Sequence, residues 1–404
     1  MTLNKTHDNS ETEEKPDEAA LLASAEAIGR LAEEESKEAD KNARFSDRVA
    51  QAIKEAQIHK LLRPKRYDGL SVTPRVFEKV IRTVARHSVA AAWLTYFYPI
   101  HEAWVSHLPP QGREEIFGQG GLVADVFTPI GRAERDGNGY RLYGQWKFAS
   151  GVLWADWIGL GALVEFPDSE GPEPCLLAVH KSDVKVVENW DTLGLRATGS
   201  NEVVVDGAWV PLHRILPIAR VVRTGKPIGG DADEDEPIYR MPFFTWFLVG
   251  FPAIAVGGAD RVLDIFRERT EKRIRVYQMG AKERDAPSSQ RLLAELRTQL
   301  DAAEALVDRY VGQLESWMKE GKTLVSEEER ERMFAWRAQT AKMSAEIAPR
   351  AMLALGGTAF FKGDPVELFT RDLLTVASHT THMYEDALAA YGRTMFGQPG
   401  HPIW

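Results

Sequence analysis

The spacing of apolar residues changes twice along the chain. From about Ala19 to Gly118 the period is helical: Leu21, Leu22, Ala25, Ile28, Leu31 and Ala32 form one stripe, followed by Val49, Ile53 and Ala56 and by Phe77, Val80, Ile81 and Val84. Thr73-Pro74 offers an N-cap and a first-turn proline for the third of these helices. From Gly121 to about Leu216 the period drops to two, in runs such as YRLYGQWKF and NEVVVDGAWVP, and Asp136-Gly137-Asn138-Gly139 reads as a hairpin turn. The stretch GKPIGGDADEDEPIYR then reads as a solvated linker. Helical spacing returns over roughly Phe247–Thr270, Ser288–Lys319 and Glu327–Leu355, with Leu292, Leu296, Leu300, Ala303, Leu306 and Val307 as a bundle stripe. From Asp364-Pro365 no Gly or Pro interrupts the chain until Gly392, which predicts one long final helix. The order is α, β, α, an α+β chain. Its expected parts are an acidic tail over 1–18, helices over 19–118, a β domain over 119–218, a linker over 219–240 and helices over 241–404.

Composition narrows the function. With 404 residues, 44% hydrophobic and 27% charged, the chain can bury sizeable cores. A formal net charge of -9 without a Lys/Arg block argues against nucleic acid or an anionic membrane as partner. A single cysteine, Cys175, excludes an internal disulfide framework and a cysteine metal cluster, and fits a reducing, cytoplasmic setting. The first twenty residues lack the apolar core of a secretory signal. Met241 to Ala259 is uncharged, but Pro242, Pro252 and three glycines make it a buried loop and helix rather than a membrane span.

The candidate chemistry centres on histidines. His379 and His382 lie in the last helical run with Glu385 and Asp386 a turn further on, and His101 sits in an aromatic stretch with Trp93, Tyr96, Phe97, Tyr98 and Trp104. The plain alternative is that these are core imidazoles satisfied by backbone carbonyls. A metal reading of His379, His382 and Glu385 fails because no Glu-x-x-His pair supplies the remaining ligands of a di-iron bundle. Neither GxGxxG opening a helix nor GxxxxGK[ST] occurs, so no nicotinamide or nucleotide-hydrolysing loop is expected.

Four stretches in this order, LLRPKRYDGL, WKFASGVLWADW, LGLRATGSNEVVVDGAWVP and LGGTAFFKGDPVELFTRDL, resemble the acyl-CoA dehydrogenase fold from roughly Ala20 to Gly397. Asp68 stands where that family usually has a glycine. The resemblance implies an N-terminal helical domain, a middle β-barrel or sandwich and a C-terminal four-helix bundle. After Arg371-Asp372 the family's dehydrogenases often carry a Tyr-Glu-Gly-Thr loop with the base; here the chain reads Ala377-Ser378-His379-Thr380. With Trp146-x-Phe-x-Ser150-Gly151 and Thr198-Gly-Ser200, this is similar to the flavin-dependent monooxygenases of the fold, the oxygenase components of two-component aromatic hydroxylases.

That resemblance implies reduced flavin (FMNH2 or FADH2) from a separate NAD(P)H-dependent reductase, O2 as co-substrate, a C4a-hydroperoxide, a small aromatic or heteroaromatic substrate and a homotetramer. It implies His379 as acid/base, His101 as a substrate-facing residue and Ser150 as acceptor for the flavin N5 hydrogen. Trp146, Ser150, Gly151, Thr198, Ser200 and Arg275 would hold the cofactor. Ser150 as a strand-end turn residue and Arg275 as a surface base are the alternatives. Trp93, Phe97, Phe243, Phe244, Trp246 and Phe247 would wall a flat apolar pocket. An FAD-dependent dehydrogenase with a displaced base, and a non-catalytic ligand-binding or assembly protein of the same fold, are the other two functions open at this point.

Overall fold

A computed structural model describes residues 17–230 and 232–400; most of the expected tail lies outside them. The first helices are α1 (Glu18–Asn42), α2 (Asp47–Glu55), α3 (Pro74–Ala85), α4 (Val89–Val105) and α5 (Pro110–Gln119). Thr73 caps α3 by accepting from the Val76 N–H, with Pro74 in the first turn as its sequence requires. In α4 every residue except Phe97 is buried, so this apolar helix runs through the molecule rather than over it.

The β strands are β1 (Leu122–Asp136), β2 (Gly139–Ala149), β3 (Ala155–Val164), β4 (Glu173–His180), β5 (Lys185–Val187), β6 (Asn201–Pro211) and β7 (Ile215–Pro217). They form one seven-stranded sheet in the order β5-β6-β2-β1-β3-β4-β7. Among the described residues only β1 and β3 pair in parallel. Alternation gives β1 two destinations. Ala124 and Val126 enter the core of the β region, while Leu122 and Val123 join the helical core. Asp125 and Phe127, in step with Val123, therefore face the helices. The candidate site lies at the seam between α4 and β1.

After α6 (Ile218–Thr224) and α7 (Phe243–Phe247) comes α8 (Gly250–Lys272), then a small hairpin of β8 (Ile274–Arg275) and β9 (Ala281–Lys282). The bundle is completed by α9 (Pro287–Glu320), α10 (Glu327–Leu355) and α11 (Pro365–Ala377), with α12 (Tyr384–Met395) at the end. A Ser326/Glu329 capping box starts α10. The apolar run over α7 and α8 is long enough to cross a membrane, but 94% of its most apolar 18-residue stretch is buried inside the protein.

Two expectations need correction. The final helix is broken between α11 and α12 by a short turn at Thr380–His382, and Glu385 and Asp386 are exposed. The break arises from local polar bonds that compete with the helix: Ser378 Oγ donates to Thr375 O, and His379 Nδ1 accepts from the Thr381 N–H. The linker is not solvated throughout, because Glu236, Ile238 and Tyr239 are buried. Glu236 accepts from the Lys65 N–H at 2.9 Å and from the Ser71 hydroxyl, and the Tyr239 hydroxyl donates to Ser106 O.

Candidate active site

Trp93, Phe97 and His101 are spaced by four residues on one face of α4, a stripe spanning ~12 Å at 1.5 Å per residue. Their rings touch in sequence, with centroids 4.9 Å apart for Trp93 and Phe97 and 5.1 Å for Phe97 and His101. Phe251 of α8 closes on Trp93 and Phe97, and His379 meets both Trp93 (5.5 Å) and Phe251 (5.0 Å). Phe127 of β1 packs edge-on against Phe247 and Phe244. The stripe joins a hydroxyl cluster at its Trp93 end to an imidazole and carboxyl at its His101 end.

The hydroxyl cluster has a direction. Thr198 Oγ1 donates to Leu195 O at 2.8 Å, which leaves it to accept from Ser200 Oγ, 2.7 Å away. Ser200, its hydrogen used, must accept from Ser150 Oγ at 2.9 Å. Trp93 Nε1 donates to the same Ser150 oxygen at 2.9 Å. A hydroxyl has one hydrogen and two lone pairs. Ser150 has thus spent its hydrogen and one lone pair, and it retains a single lone pair: it can only accept. The neighbouring Gly151 has φ +73°, and a Cβ there would lie 2.6 Å from the Tyr98 hydroxyl, which donates to Gly151 O.

The loop carrying Leu195, Thr198 and Ser200 is pinned by α11. The Leu195 N–H donates to Asp372 Oδ1 at 2.6 Å, and Arg371 donates to Leu193 O at 2.5 Å. Burial lifts the Asp372 carboxyl to about 7, against the lowering effect of the Leu195 N–H. Gly194 packs so closely on α11 that a Cβ would stand 2.2 Å from Arg371 O. The Arg-Asp pair that precedes the histidines is therefore a fastener between the helix and the hydroxyl loop.

His379 sits in the break after α11. Its Nδ1 accepts from the Thr381 N–H (3.3 Å), with the Thr381 hydroxyl 2.9 Å away. A neutral imidazole bonded in this way carries its hydrogen on Nε2. Burial, reinforced by the Arg337 guanidinium, holds the ring at about 4, so it is neutral near pH 7. His382 is a different kind of residue. It is almost wholly buried, donates from Nδ1 to Val376 O at 2.9 Å and stacks edge-on against Phe251. It ties the turn to α11.

Arg337 of α10 is buried and donates twice to Thr381 O, at 3.1 and 2.9 Å. It clamps the turn and places positive charge beside both imidazoles. Arg337→Met should leave the carbonyl unpaired and lower stability by ~1–3 kcal/mol. It should also raise the pH at which His379 protonates from about 4 toward the ordinary imidazole range. Thermal denaturation and the pH dependence of product yield check the two effects separately.

At the other end of the stripe, His101 Nδ1 donates to Val123 O at 2.6 Å, so its Nε2 is the acceptor. Burial holds this ring at about 3. The two histidines therefore present opposite faces: Nε2–H on His379 and a bare Nε2 on His101. His101 Nε2 lies 3.3 Å from Asp125 Oδ2.

The structure thus gathers Ser150, Gly151, Thr198, Ser200 and His379 around Trp93, with His101 further along the stripe. Trp146 is a correction: it is fully buried in the β core, its N–H donating to Gly161 O at 2.8 Å, so it offers no surface to a cofactor. An extra residue in β2 between Trp146 and Ala149 resets the register, and the exposed ring beside Ser150 is instead Phe148, 66% exposed at φ +72°. Its edge meets Trp190. Trp246 is turned away toward Phe77. Arg275 pairs with Glu283 on the β8–β9 hairpin, and among the described residues no contact joins it to the Ser150 cluster. Sequence reading also missed Asp125 and Arg337. An acidic residue inside the apolar run GGLVADVF was the available signal for the former.

Comparison with known proteins finds relatives along nearly the whole chain. A model of the acyl-CoA dehydrogenase C-terminal domain matches residues 249–384. The oxygenase subunit HsaA of a flavin-dependent monooxygenase from Rhodococcus jostii is 27% identical over 370 residues, covering 91% of this chain and 95% of that protein. The oxygenase component of p-hydroxyphenylacetate 3-hydroxylase from Acinetobacter baumannii is 26% identical over 89% of this chain and 85% of its own. Among solved structures, XiaF from Streptomyces sp. in complex with FADH2 and glycerol superposes with a TM-score of 0.87 at 24% identity, covering 96% and 97% of the two chains. Along nine-tenths of its length the chain is thus similar to oxygenase components of flavin-dependent monooxygenases, and its fold is that of the acyl-CoA dehydrogenases.

Proposed function

We propose that the chain receives reduced flavin from a separate reductase and uses it with O2 to hydroxylate a small, flat aromatic or heteroaromatic compound, by the route that the sequence resemblance implies. One observation carries the reading: the hydroxyl chain from Leu195 O through Thr198 and Ser200 leaves Ser150 able only to accept. Reduced flavin bears a hydrogen on N5, whereas oxidised flavin bears a lone pair there. Ser150 fits the reduced form. The exposed ring of Phe148, with half-buried Trp190 against it, suits a flat tricyclic group. When bound, the flavin would supply the electrons that activate oxygen.

The protein's own residues do the rest. Ser150 holds the N5 hydrogen in place. The walls of Trp93, Phe97, Phe251, Phe127 and Phe247 keep water from the reacting groups, which limits loss of oxygen as hydrogen peroxide. His379, neutral, presents Nε2–H as a hydrogen-bond donor to the reacting groups; the opposite capacity, acceptance of a hydrogen bond, belongs to the bare Nε2 of His101. Arg275, which no contact among the described residues joins to the Ser150 cluster, is proposed to meet the flavin phosphate across an interface between protomers. The exposed apolar side chains of its hairpin, Ile274, Val276, Tyr277 and Met279, favour such association, and a homotetramer in the cytoplasm is part of the proposal. Purification tests the reading: a colourless protein that takes up reduced flavin is expected, whereas a yellow protein with tightly held oxidised flavin would point to a dehydrogenase.

A further inference from the structure

A cavity of about 260 Å³ lies between α1, the start of α4, the loop at Arg196 and Ala197, and α11. It is separate from the aromatic stripe, since Trp93, Phe97 and His379 are not among the residues that line it. One side is apolar, built from Phe45, Val89, Ala90, Leu368 and Phe369. The charged groups on the other side are mostly matched. Glu33 pairs with His87 at 2.8 Å and Arg261 at 3.5 Å, and Asp40 with Arg371 at 3.0 Å and Arg196 at 3.8 Å. Glu34 and Lys37, both exposed at the rim, offset one another. Asp372 is the exception. Among the described residues its carboxyl meets only the Leu195 N–H, at Oδ1, while the neighbouring Arg371 is spent on Glu367, Asp40 and Leu193 O. The second oxygen is without a partner. Asp372 also keeps accessible surface although α1, α11 and the 195–200 loop surround it, and that surface is cavity wall.

A ligand that completes this place carries one cationic donor on a compact apolar body. An ammonium donates to the free oxygen and supplies the missing countercharge, an alcohol supplies the bond without the charge, and a carboxylate repels. We propose that this cavity is an effector site for a small apolar primary amine, whose ammonium pairs with Asp372. The same carboxyl holds the cofactor loop. Leu195 has a left-handed backbone at φ +53°, uncommon for a side chain of this size, and its carbonyl accepts from both Thr198 Oγ1 and Trp190 Nε1 at 2.8 Å. An ammonium keeps Asp372 charged against the burial that lifts it to about 7, and a charged acceptor holds the Leu195 N–H more firmly. Occupancy therefore stiffens the loop whose hydroxyls end at Ser150. The coupling rests on reading Ser150 as a flavin contact; the amine site does not.

Calorimetry with cyclohexylmethylamine and cyclohexylmethanol, alike in shape but not in charge, tests the site on the protein as isolated. Wild type should bind the amine ~10–100-fold more tightly, the range for a charge-assisted hydrogen bond. Asp372→Asn retains an acceptor for the Leu195 N–H and should lose the preference. Leu368→Trp fills the cavity and should abolish amine binding; Ser36→Phe fills it from α1 where the tryptophan variant does not fold. Equal binding of the two ligands by wild type, binding of neither, an undiminished preference in Asp372→Asn, or amine binding that survives a filled cavity would overturn the site. The coupling is read under nitrogen, where saturating amine should tighten reduced FMN by ~5-fold or more in wild type and leave Asp372→Asn unchanged. Reduced FMN that binds with the same affinity with and without amine would overturn the coupling, whereas a protein that takes up neither redox form of the flavin would overturn the oxygenase reading instead.

Discussion

Ser150→Ala is expected to let reduced flavin on the protein return to its oxidised colour ~5–30-fold faster in the presence of oxygen, with hydrogen peroxide as the product. The magnitude is that of one hydrogen bond worth ~1–2 kcal/mol, at ~1.4 kcal/mol per tenfold in rate. The cause is specific to the geometry: alanine removes the acceptor at the end of the chain from Thr198 and Ser200. It also leaves Trp93 Nε1 without its acceptor, so a modest loss of thermal stability should accompany the change. Ser200→Ala provides the control. It should lower stability similarly but affect flavin oxidation less, because Ser150 keeps its position and the Trp93 hydrogen bond. A Ser150→Ala protein whose flavin oxidises at the wild-type rate would remove this hydroxyl from the cofactor site.

His379→Ala should fold, bind reduced flavin and consume oxygen, but yield ~10²–10³-fold less product on whichever phenol of a test panel is hydroxylated, the usual loss when a positioned hydrogen-bond donor to the reacting groups is removed. His382→Ala should invert that pattern. Its ring is buried, bonded to Val376 O and packed on Phe251, so its removal should cost stability, by ~2–4 kcal/mol, more than coupling. The pH dependence carries a sign. His379 protonates near 4 in the folded protein and near ~6.5 when unfolded, so its contribution to stability is complete above the unfolded value and is lost as pH falls through the folded one. Wild type should therefore lose more stability than His379→Ala between those two values, and its product yield should stay level from pH 6 to 8 as far as this residue decides it. Acid titration of both proteins, followed by melting temperature and product yield, checks the two statements together.

The long periodic runs made the order of helices and strands legible, and the Thr73-Pro74 start of α3 was written in residues with a direct local role. The break at Ser378–Met383 was not legible, since no Gly or Pro marks it. It is made by side chains of Ser378 and His379 bonding to nearby backbone, and by Arg337, which arrives from α10. The same break aims His379 at Trp93, so the feature hardest to read is the one that builds the site. Trp146 was misplaced for a related reason: the extra residue in β2 shifts the alternation, sending Trp146 inward and leaving Phe148 outside. Asp125 shares the apolar spacing of its strand and gains meaning only from His101 across the seam.

The most direct test of the account is the affinity of the protein for the two redox forms of one flavin, measured under nitrogen in wild type and in Ser150→Ala. Because the hydroxyl chain leaves Ser150 able only to accept, the reduced form, with hydrogen on N5, should bind wild type at least ~10-fold more tightly than the oxidised form, and the ratio should collapse toward one in the variant. Oxidised flavin bound as tightly as reduced flavin by wild type, or a ratio unchanged by the substitution, would contradict it.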